Sequence, residues 1–505
     1  MLETPFLLAL ACLAVGVIGT LVQHREKNLP PGPTRIPLLG NAWHVPVEKS
    51  WMYFHSLCQK YGPMVMLKAL DNDILVLDNA EDIQELLVKR SNNYSSRKQL
   101  IYAGKYRSGN KRLVLLPYGP LLKKYRAAVH TMMNPKAVGA YERLQERGSM
   151  VLLQSILNDP SKAYINIKRF TAETLFTLIY GKGFGSEEDL RTVLHILETF
   201  IQDMHPFAHM VDRMPILDWL PDFLAPWRDE ARKKGEYEHK FYSRLLKDVK
   251  ARMDSGAHVQ CFAANLWENV EQLGLDEDSL AYVAGSAFEA GTDNTAGVML
   301  WFLVAMMHYP AVLKRARAEL DEVLGANGDT APCYHHLDQL PYCLALVKEV
   351  LRWMPVAPLS APHYSLKDDV YKGFRIGAGT TVIPNIWAIH HDATLFSDPF
   401  EFNPERFLMA KEDIRPESSL NEGHSAFGFG RRVCPGQHFA AKSVWVGMVR
   451  LMWAFEINPP MDVNKKPILP DVGACRSGLT AEPAHFDVVL TPRSERHIQT
   501  IQRDS

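Results

Sequence analysis

The sequence predicts a mainly α-helical protein with small β-sheets. The chain has 505 residues, of which 47% are hydrophobic, and this is enough for a large buried core. From about Glu48 onward most of the chain shows the apolar spacing of helices, and only short runs rich in β-branched residues interrupt it. We find no internal repeat and no low-complexity segment. These three observations favour one large, helix-rich domain.

Several helices and strands can be predicted individually. Long helices are predicted at 139–158, 165–181, 186–204, 229–254, 278–308 and 436–456. Strands are predicted at 64–69, 73–78 and 380–389. The sequence DDVYKGFRIGAGTTV, residues 368–382, is typical of a hairpin with glycine at its turn. We therefore expect the sheets near the start and in the later third of the chain.

Residues 1–28 are predicted to be a membrane anchor in front of a globular domain at 29–505. The segment 4–23 contains no charged residue, and about 20 apolar residues span a bilayer as a helix. A cleaved signal peptide is the alternative, but it has positive charge before a shorter apolar run. Here Arg25 and Lys27 follow the run, so the positive-inside rule places the globular domain in the cytosol.

Charge and cysteine content exclude several classes of protein. The net charge is −1 and there is no basic tail, so a nucleic-acid partner is not expected. The seven cysteines are scattered and form no CxxC, which argues against a disulfide framework and a structural zinc site. No glycine-rich loop of the GxGxxG or GxxxxGK[ST] kind opens a helix, which argues against a dinucleotide site or a P-loop.

The sequence FGFGRRVCPG, residues 427–436, is the strongest functional signal. Each residue alone is ordinary, because glycine and proline are common in turns and a lone cysteine is usually a buried hydrophobe. A thiolate that ligates haem iron, however, needs backbone N–H donors that glycine allows to approach closely. Pro435 and Gly436 open a predicted helix, whose positive N-terminus would face the sulfur of Cys434. A nearby arginine can bind a haem propionate.

This stretch resembles the cysteine loop of the cytochrome P-450 family, the haem-thiolate monooxygenases. The family pattern F-x-x-G-x-R-x-C-x-G is met by Phe427, Gly430, Arg432, Cys434 and Gly436. The resemblance implies that the cofactor is haem b (iron protoporphyrin IX) and that Cys434 is the axial ligand of its iron. It also implies that Arg432 binds a propionate, that Phe427 packs beside the thiolate, and that Gly436 belongs to the cofactor site.

Two further motifs fit the family in order along the chain. The stretch KEVLR supplies Glu349 and Arg352, which share a helix face at i and i+3. Taken alone, this spacing is also typical of a solvated surface salt bridge. The stretch PERF supplies Arg406. The resemblance implies that these three residues form a buried structural triad behind the haem.

The stretch AFEAGTDNTAGV, residues 287–298, resembles the family's long helix over the distal haem face. Glycine inside a helix costs about 1 kcal/mol relative to alanine, and tight helix packing is one explanation for its presence. The resemblance implies instead an oxygen pocket, with Ala290 and Gly291 against the cofactor. The two interpretations remain open from the sequence.

This distal motif departs from the family pattern at one position. Asp293 supplies the usual acid, but Asn294 stands where threonine is usual, and Thr295 follows. We expect these three residues to serve catalysis, with Asn294 holding a distal water and Asp293 supplying protons. Successive helix residues point about 100° apart, so Thr295 would face away unless a bulge rotates it. A packing asparagine in a kinked helix is the alternative.

The family resemblance also implies further contacts with the cofactor and with a redox partner. Leu122 occupies the place of a common family tryptophan, whereas Arg126 is retained as a propionate partner. His363 is a weaker candidate, and a packing histidine is the alternative. Four cations are candidates for a basic face that docks the reductase, namely Lys123, Lys124, Arg431 and Lys442. The alternative is that they are scattered, solvated charges.

The resemblance implies a monooxygenase that uses O2 and electrons from an NADPH–cytochrome P-450 reductase. The substrate is expected to be a lipophilic small molecule, contacted by residues 97–117, Phe288 and Ala290, 356–360 and 475–478. The later part of the chain looks most like fungal members of secondary-metabolite pathways. We expect a single-pass protein of the endoplasmic reticulum membrane with its catalytic domain in the cytosol. A haem-thiolate rearrangement or dehydration enzyme, and a haem-binding protein without turnover, are the alternatives.

Overall fold

The computed structural model of the protein describes residues 28–36, 40–41, 44–46, 48–70, 72–204, 208–408 and 420–505. The predicted anchor helix at 4–23 lies outside the described residues. Within those residues the protein is mainly helical with small sheets, as the sequence predicts.

The described part of the chain forms eighteen α-helices. In the first half of the chain they are α1 (Ser50–Tyr61), α2 (Ala80–Ile83), α3 (Ser91–Tyr94), α4 (Pro120–Met133), α5 (Pro135–Gly139), α6 (Glu142–Asn158), α7 (Ala163–Tyr180), α8 (Glu187–Asp203), α9 (Met210–Arg213) and α10 (Pro226–Asp254). The others are α11 (Phe262–Glu268), α12 (Val270–Leu273), α13 (Glu277–His308), α14 (Pro310–Leu324), α15 (Pro341–Trp353), α16 (Ile386–His390), α17 (Gln437–Ala454) and α18 (Glu495–Asp504). The six long helices predicted from the sequence are confirmed to within a few residues at each end.

Shorter turns connect these helices. Two are π-helical, at Gln84–Lys89 and Ile101–Arg107. The 3-10 turns are Leu113–Leu115, Pro160–Lys162, Pro215–Trp219, Asp222–Leu224, Tyr334–Gln339, Pro404–Phe407 and Gly430–Arg432.

Ten short strands form four sheets in the described residues. The strands are β1 (Met64–Ala69), β2 (Asn72–Leu77), β3 (His363–Tyr364), β4 (Asp369–Tyr371), β5 (Phe374–Ile376), β6 (Thr381–Pro384), β7 (Phe455–Asn458), β8 (Cys475–Ser477), β9 (Ala481–Pro483) and β10 (Val489–Pro492). The largest sheet has the order β1–β2–β6–β3, and its β2–β6 pair is parallel while its other pairs are antiparallel. The remaining sheets are the antiparallel pairs β4–β5, β7–β10 and β8–β9.

The predicted hairpin is confirmed, and one predicted strand is corrected. Strands β4 and β5 pair across Lys372 and Gly373, whose φ angles of 51° and 81° are typical of a type I′ turn. The strand predicted at 380–389 ends at Pro384 and is followed by helix α16. The helix begins there because the side chain of Asn385 accepts a hydrogen bond from the Ala388 N–H at 3.2 Å.

The core of the protein is built around α13. Every residue of this helix from 296 to 307 is buried, and the helix contacts α7, α10 and α17. A helix that is apolar all round is typical of the centre of a large domain. The rest of the fold is therefore arranged around α13, which also carries the predicted distal motif.

No single helix within the described ranges combines the length and the apolar composition needed to cross a bilayer. Helices α13 and α14 meet these criteria only as a pair, and they are bent by 106° where they meet.

The triad implied by the sequence is present and buried. Arg352 donates two hydrogen bonds to the carboxylate of Glu349, at 2.7 and 2.8 Å, and neither side chain is exposed. Arg406 donates to the same carboxylate at 3.1 Å. Arg352 also donates to the backbone carbonyls of His390 and Pro399, at 2.6 and 2.8 Å. The surface salt-bridge interpretation is therefore wrong, and the pair ties α15 to the segments that follow it.

Replacing Arg352 with leucine is expected to destabilise the fold strongly. The change leaves the Glu349 carboxylate buried with one cation instead of two, and breaking a buried ion pair costs about 3–5 kcal/mol. The midpoint of urea unfolding, followed by circular dichroism, should fall accordingly. The control is Lys250→Met, which removes an exposed i,i+4 pair with Asp254 and should leave the midpoint unchanged. Equal midpoints for the two variants would contradict a supporting role for the triad.

Candidate functional site

The loop that carries Cys434 folds back on itself just before α17. The Cys434 N–H donates to the Phe427 carbonyl at 2.9 Å, so the two ends of the loop are held together. The Gly436 N–H, at the start of α17, faces the sulfur of Cys434. The half-buried sulfur thus lies at a helix N-terminus, where backbone donors and the helix dipole favour a negative charge.

Glycine is required at one position of this loop by its packing. Gly430 has a φ of +54°, and a Cβ built there would lie 2.2 Å from the carbonyl oxygen of Leu87. Gly428 also has a positive φ, of +79°. The loop can therefore approach the segment at Gln84–Lys89 only because it lacks a side chain at Gly430. This explains physically why the motif contains the glycines on which the sequence resemblance rests.

Three arginines from distant segments converge near the cysteine loop. Arg432 donates to the Ser95 and Leu116 carbonyls at 2.6 and 2.5 Å. Arg126 of α4 donates to the Val433 carbonyl at 3.0 Å. Arg97 donates to the Ala361 and Pro362 carbonyls, both at 2.6 Å. None of the three guanidiniums is hydrogen-bonded to a carboxylate among the residues that the structure describes.

The electrostatics of this cluster reflect unbalanced positive charge. Burial and repulsion from Arg432 and Arg126 hold the pKa of Arg97 well below its ordinary value. Burial and Arg126 lower the pKa of Arg432 to about 10. Burial, with a contribution from Arg97, also keeps the pKa of His363 well below its ordinary value. The cluster therefore requires an anionic group to balance it.

His363 completes this cluster with an unused nitrogen. Its Nδ1 donates to the Tyr94 carbonyl at 2.7 Å, and its buried Nε2 has no partner among the described residues. Arg97 likewise has a buried Nε without a partner there. Of the four basic side chains, the sequence predicted Arg126, Arg432 and His363 but missed Arg97. Arg97 lies in an irregular loop, where no periodicity or motif distinguishes it from a solvated arginine.

The residues present fit haem b. Two propionate carboxylates would balance the cationic cluster and accept a hydrogen bond from the unused Nε–H of Arg97. Burial raises the pKa of the Cys434 thiol, so a facing cation such as iron is needed to keep its sulfur ionised. The group would thus be held by Cys434 on one side and by Arg97, Arg126 and Arg432 at its acidic edge.

The distal motif lies on an unbroken stretch of α13. Asn294 donates from Nδ2 to the Ala290 carbonyl at 2.8 Å, and its buried Oδ1 has no partner among the described residues. A Cβ built at Gly291 would lie 2.6 Å from Leu175, so tight helix packing accounts for this glycine. No bulge rotates the buried Thr295 toward the direction of Asn294. Asn294 therefore offers mainly its Oδ1 acceptor to a distal water, because its amide nitrogen is used within the helix.

Asp293 is the inner end of a chain of charged side chains. Its carboxylate lies 3.3 Å from the ammonium of Lys168, which lies 2.9 Å from Glu482. Glu482 in turn pairs with Arg476, whose side chain is 65% exposed. Asp293 is thus connected to the protein surface, as a residue that supplies protons would be.

A cavity of about 300 Å³ opens beside Arg97 and His363 and is lined mostly by aliphatic side chains. Three of the four segments predicted to contact substrate reach it, through Leu100, Val114, Leu115, Leu359, Ser360 and Gly478. Phe288 does not line it; this residue is buried in the core, with ring centroids 5.7 Å from Phe176 and 6.1 Å from Phe184. Ala290 is also absent from the lining that the structure describes.

A buried charge cluster missed by sequence reasoning supports the walls of this cavity. Arg107 donates to Asp203 at 2.5 Å and to Glu238 at 3.0 Å. Arg112 donates to Glu238 at 2.8 Å and also pairs with Glu289 of α13. All five side chains are at most 6% exposed. The cluster joins the segment around residues 101–112 to α8, α10 and α13.

The four cations predicted to form a reductase face separate into two groups. Lys123 and Arg431 both lie over the ring of Tyr118, at 5.5 and 5.4 Å. Lys124 donates to the Gly274 carbonyl and Lys442 pairs with Glu142. Lys123 and Arg431 are therefore adjacent, and the other two cations have partners of their own.

Comparison with known proteins identifies the same family as the cysteine loop. The family model described as cytochrome P-450 matches residues 30–486. Cytochrome P-450 monooxygenase 231 of Postia placenta is 32% identical over 540 residues, which cover 98% of this chain and 95% of that protein. Cytochrome P-450 monooxygenase virE of Hypocrea virens is 31% identical over 493 residues, which cover 96% of this chain and 89% of that protein.

The fold also has solved counterparts. A zebrafish cytochrome P-450, in a structure with abiraterone, matches with a TM-score of 0.74 and 24% identity. The match covers 89% of this chain and 100% of that one.

Replacing Cys434 with serine is expected to abolish thiolate ligation. The reduced wild-type protein with carbon monoxide should show the red-shifted Soret band of a thiolate-ligated haem, and Cys434→Ser should lose it. The control is Cys261→Ser, because Cys261 caps α11 by accepting the Ala264 N–H at 3.4 Å, and serine is a good residue for that position. A normal band in Cys434→Ser would place the ligand elsewhere.

Proposed function

This chain belongs to the cytochrome P-450 family of haem b monooxygenases, and we propose that it oxidises a lipophilic small molecule in a fungal secondary-metabolite pathway. The observation that carries the proposal is the loop around Cys434 together with the unbalanced cluster of Arg97, Arg126 and Arg432. The relatives in Postia placenta and Hypocrea virens support the fungal and biosynthetic part of the proposal.

The protein's own residues have distinct tasks in this reaction. When bound, haem b supplies the chemistry that inserts one oxygen atom of O2 into an unactivated C–H bond. Cys434 would hold the iron and supply electron density to it, and the three arginines would bind the acidic edge of the cofactor. The buried apolar length of α13 excludes bulk water from the distal side.

Proton delivery would depend on two residues of α13. The unpartnered Oδ1 of Asn294 can accept a hydrogen bond from a distal water, since its amide is held in place by the Ala290 carbonyl. Asp293, whose side chain is 21% exposed and pairs with the Lys168 ammonium, can take a proton from solvent and pass it inward. We propose that Asn294 takes the place of the usual threonine beside the usual acid, Asp293.

The aliphatic lining of the cavity supports a lipophilic substrate. A volume of about 300 Å³ is at the lower end of the range for drug-sized ligands. Electrons must come from a separate NADPH reductase, because the sequence contains no flavin or nicotinamide motif.

We propose that the protein is held on the endoplasmic reticulum membrane by two contacts. The first is the anchor expected at residues 4–23. The second is an exposed apolar patch between α9 and α10, formed by Ile216, Trp219, Phe223 and Leu224, of which Trp219 is 85% exposed and Phe223 is 81% exposed. Contiguous exposed aromatic groups of this kind are typical of membrane or protein contacts.

Replacing Asn294 with alanine is expected to uncouple NADPH consumption from product formation. Without the side-chain acceptor the distal water is lost, and a larger share of electrons should leave as hydrogen peroxide. The ratio of product, or of peroxide, to NADPH consumed measures this with reductase and a converted substrate. Asn294→Thr is the matched control and should stay at least partly coupled. Unchanged coupling in Asn294→Ala would exclude Asn294 from proton delivery.

Deletion of residues 1–28 is expected to leave weak membrane binding through the patch. Adding Trp219→Ser and Phe223→Ser should lower the affinity of the truncated protein for phospholipid vesicles at least tenfold, because each buried aromatic contributes roughly 1.5–3 kcal/mol. Sedimentation with vesicles measures the bound fraction. The control is Val463→Ser, at a 98% exposed apolar residue outside the patch. Equal binding with and without the two aromatic residues would contradict the second contact.

A further inference from the structure

His390 connects the buried triad to Ser425, which lies two residues before the cysteine loop. It is the last residue of α16 and is not exposed to solvent. Its Nδ1 lies 2.9 Å from the carbonyl oxygen of Arg352, and its Nε2 lies 2.8 Å from the backbone nitrogen of Ser425. Arg352 returns a hydrogen bond to the His390 carbonyl at 2.6 Å. The two residues therefore exchange a pair of hydrogen bonds, and the second ring nitrogen is left for the loop.

The partners of the imidazole determine its proton positions completely. A backbone carbonyl only accepts, so Nδ1 must carry the hydrogen that it donates to Arg352. A backbone N–H only donates, so Nε2 must be bare to accept from Ser425. The ring is therefore neutral and present as one tautomer. Burial, with repulsion from His424 and Arg352, keeps the pKa of His390 well below its ordinary value, which agrees with this arrangement.

Ser425 begins the segment that folds back on Cys434. The Ser425 carbonyl accepts from the Gly428 N–H at 3.0 Å, and the Phe427 carbonyl accepts from the Cys434 N–H at 2.9 Å. A continuous path of hydrogen bonds thus runs from Arg352, through His390, into the backbone of the loop. If the Ser425 N–H lost its acceptor, a buried donor would be left unpaired and the loop would have to shift.

We propose that His390 is a positioning residue that sets the cysteine loop, through its bare Nε2, so that Cys434 is presented to the haem iron. This inference depends on the proposed function at one point, the ligation of the haem iron by Cys434. In the part of the chain that the structure describes, Arg352 forms no hydrogen bond with the cysteine loop. The proposal therefore gives His390 a role that the triad does not perform directly.

Two substitutions separate the two hydrogen bonds of the ring. A glutamine side chain can place an acceptor oxygen near the position of Nε2, so His390→Gln keeps the bond from Ser425 and loses the bond to Arg352. An asparagine side chain reaches only the position of Nδ1, so His390→Asn keeps the bond to Arg352 and loses the bond from Ser425. The control is His391→Asn, because His391 bonds the Trp387 carbonyl at 2.8 Å within α16.

The measured quantity is the fraction of reduced, carbon monoxide-bound haem that shows the thiolate band. We expect His390→Gln and His391→Asn to be close to wild type at neutral pH. In His390→Asn the ratio of thiolate to non-thiolate form should fall roughly fivefold or more, the effect of leaving a buried donor unpaired. Equal fractions in His390→Asn and His390→Gln, or failure of both to take up haem, would overturn the proposal. A wild-type protein without the thiolate band would instead refute the proposed function.

The pH at which the thiolate band is lost gives a second test. A residue that only stabilised the fold would not change this pH. Protonation of His390 would place an N–H on Nε2 against the Ser425 N–H. Because burial keeps the pKa of His390 well below its ordinary value of about 6.5, the link holds through neutral pH and is lost only when the pH falls through that lowered pKa. The charged or titratable groups that face the ring are Arg352, His391 and His424, with Glu349 behind Arg352. Glutamine does not titrate, so His390→Gln should keep the thiolate band to lower pH than wild type. The same acid midpoint in both proteins would contradict the proposal.

Discussion

The structure depends on one electrostatic constraint, the concentration of positive charge beside the half-buried sulfur of Cys434. Arg97, Arg126 and Arg432 reach this place from three separate parts of the chain, and each uses its remaining donors on backbone carbonyls. No local carboxylate of the described residues neutralises them. An anionic, iron-bearing cofactor satisfies the arginines and the cysteine together, so folding and cofactor binding are linked.

The surrounding architecture keeps this charged centre rigid. The Glu349 carboxylate binds Arg352 and Arg406 in a site without solvent, and Arg352 extends the network to the carbonyls at His390 and Pro399. On the other side, α13 forms the apolar centre of the core and presents the distal motif. The cavity lies beside Arg97 and His363, and the buried cluster around Glu238 holds its wall at Asp203. Local polar networks therefore position a site whose chemistry is supplied by the cofactor.

The sequence predicted best what is encoded in contiguous residues. The loop around Cys434 is recognisable because its glycines, arginine and cysteine are adjacent in sequence, and α13 because apolar residues cover all its faces. Arg97 could not be predicted, since its partners come from residues more than 260 positions away. Arg107 and Arg112 look solvated in sequence, because Glu238 lies 131 and 126 positions from them. Residues 386–389 were expected in a strand, and the Asn385 cap places them, with His390, in a helix.

The central claim is that Cys434 supplies the iron ligand of this protein. X-ray absorption at the iron edge of the purified ferric protein tests it most directly, since it counts the sulfur neighbours of the metal. The account predicts one sulfur in the first coordination shell of the iron, with the nitrogens of the haem. A first shell that contains only nitrogen and oxygen would contradict it, however well the rest of the fold agrees with the family.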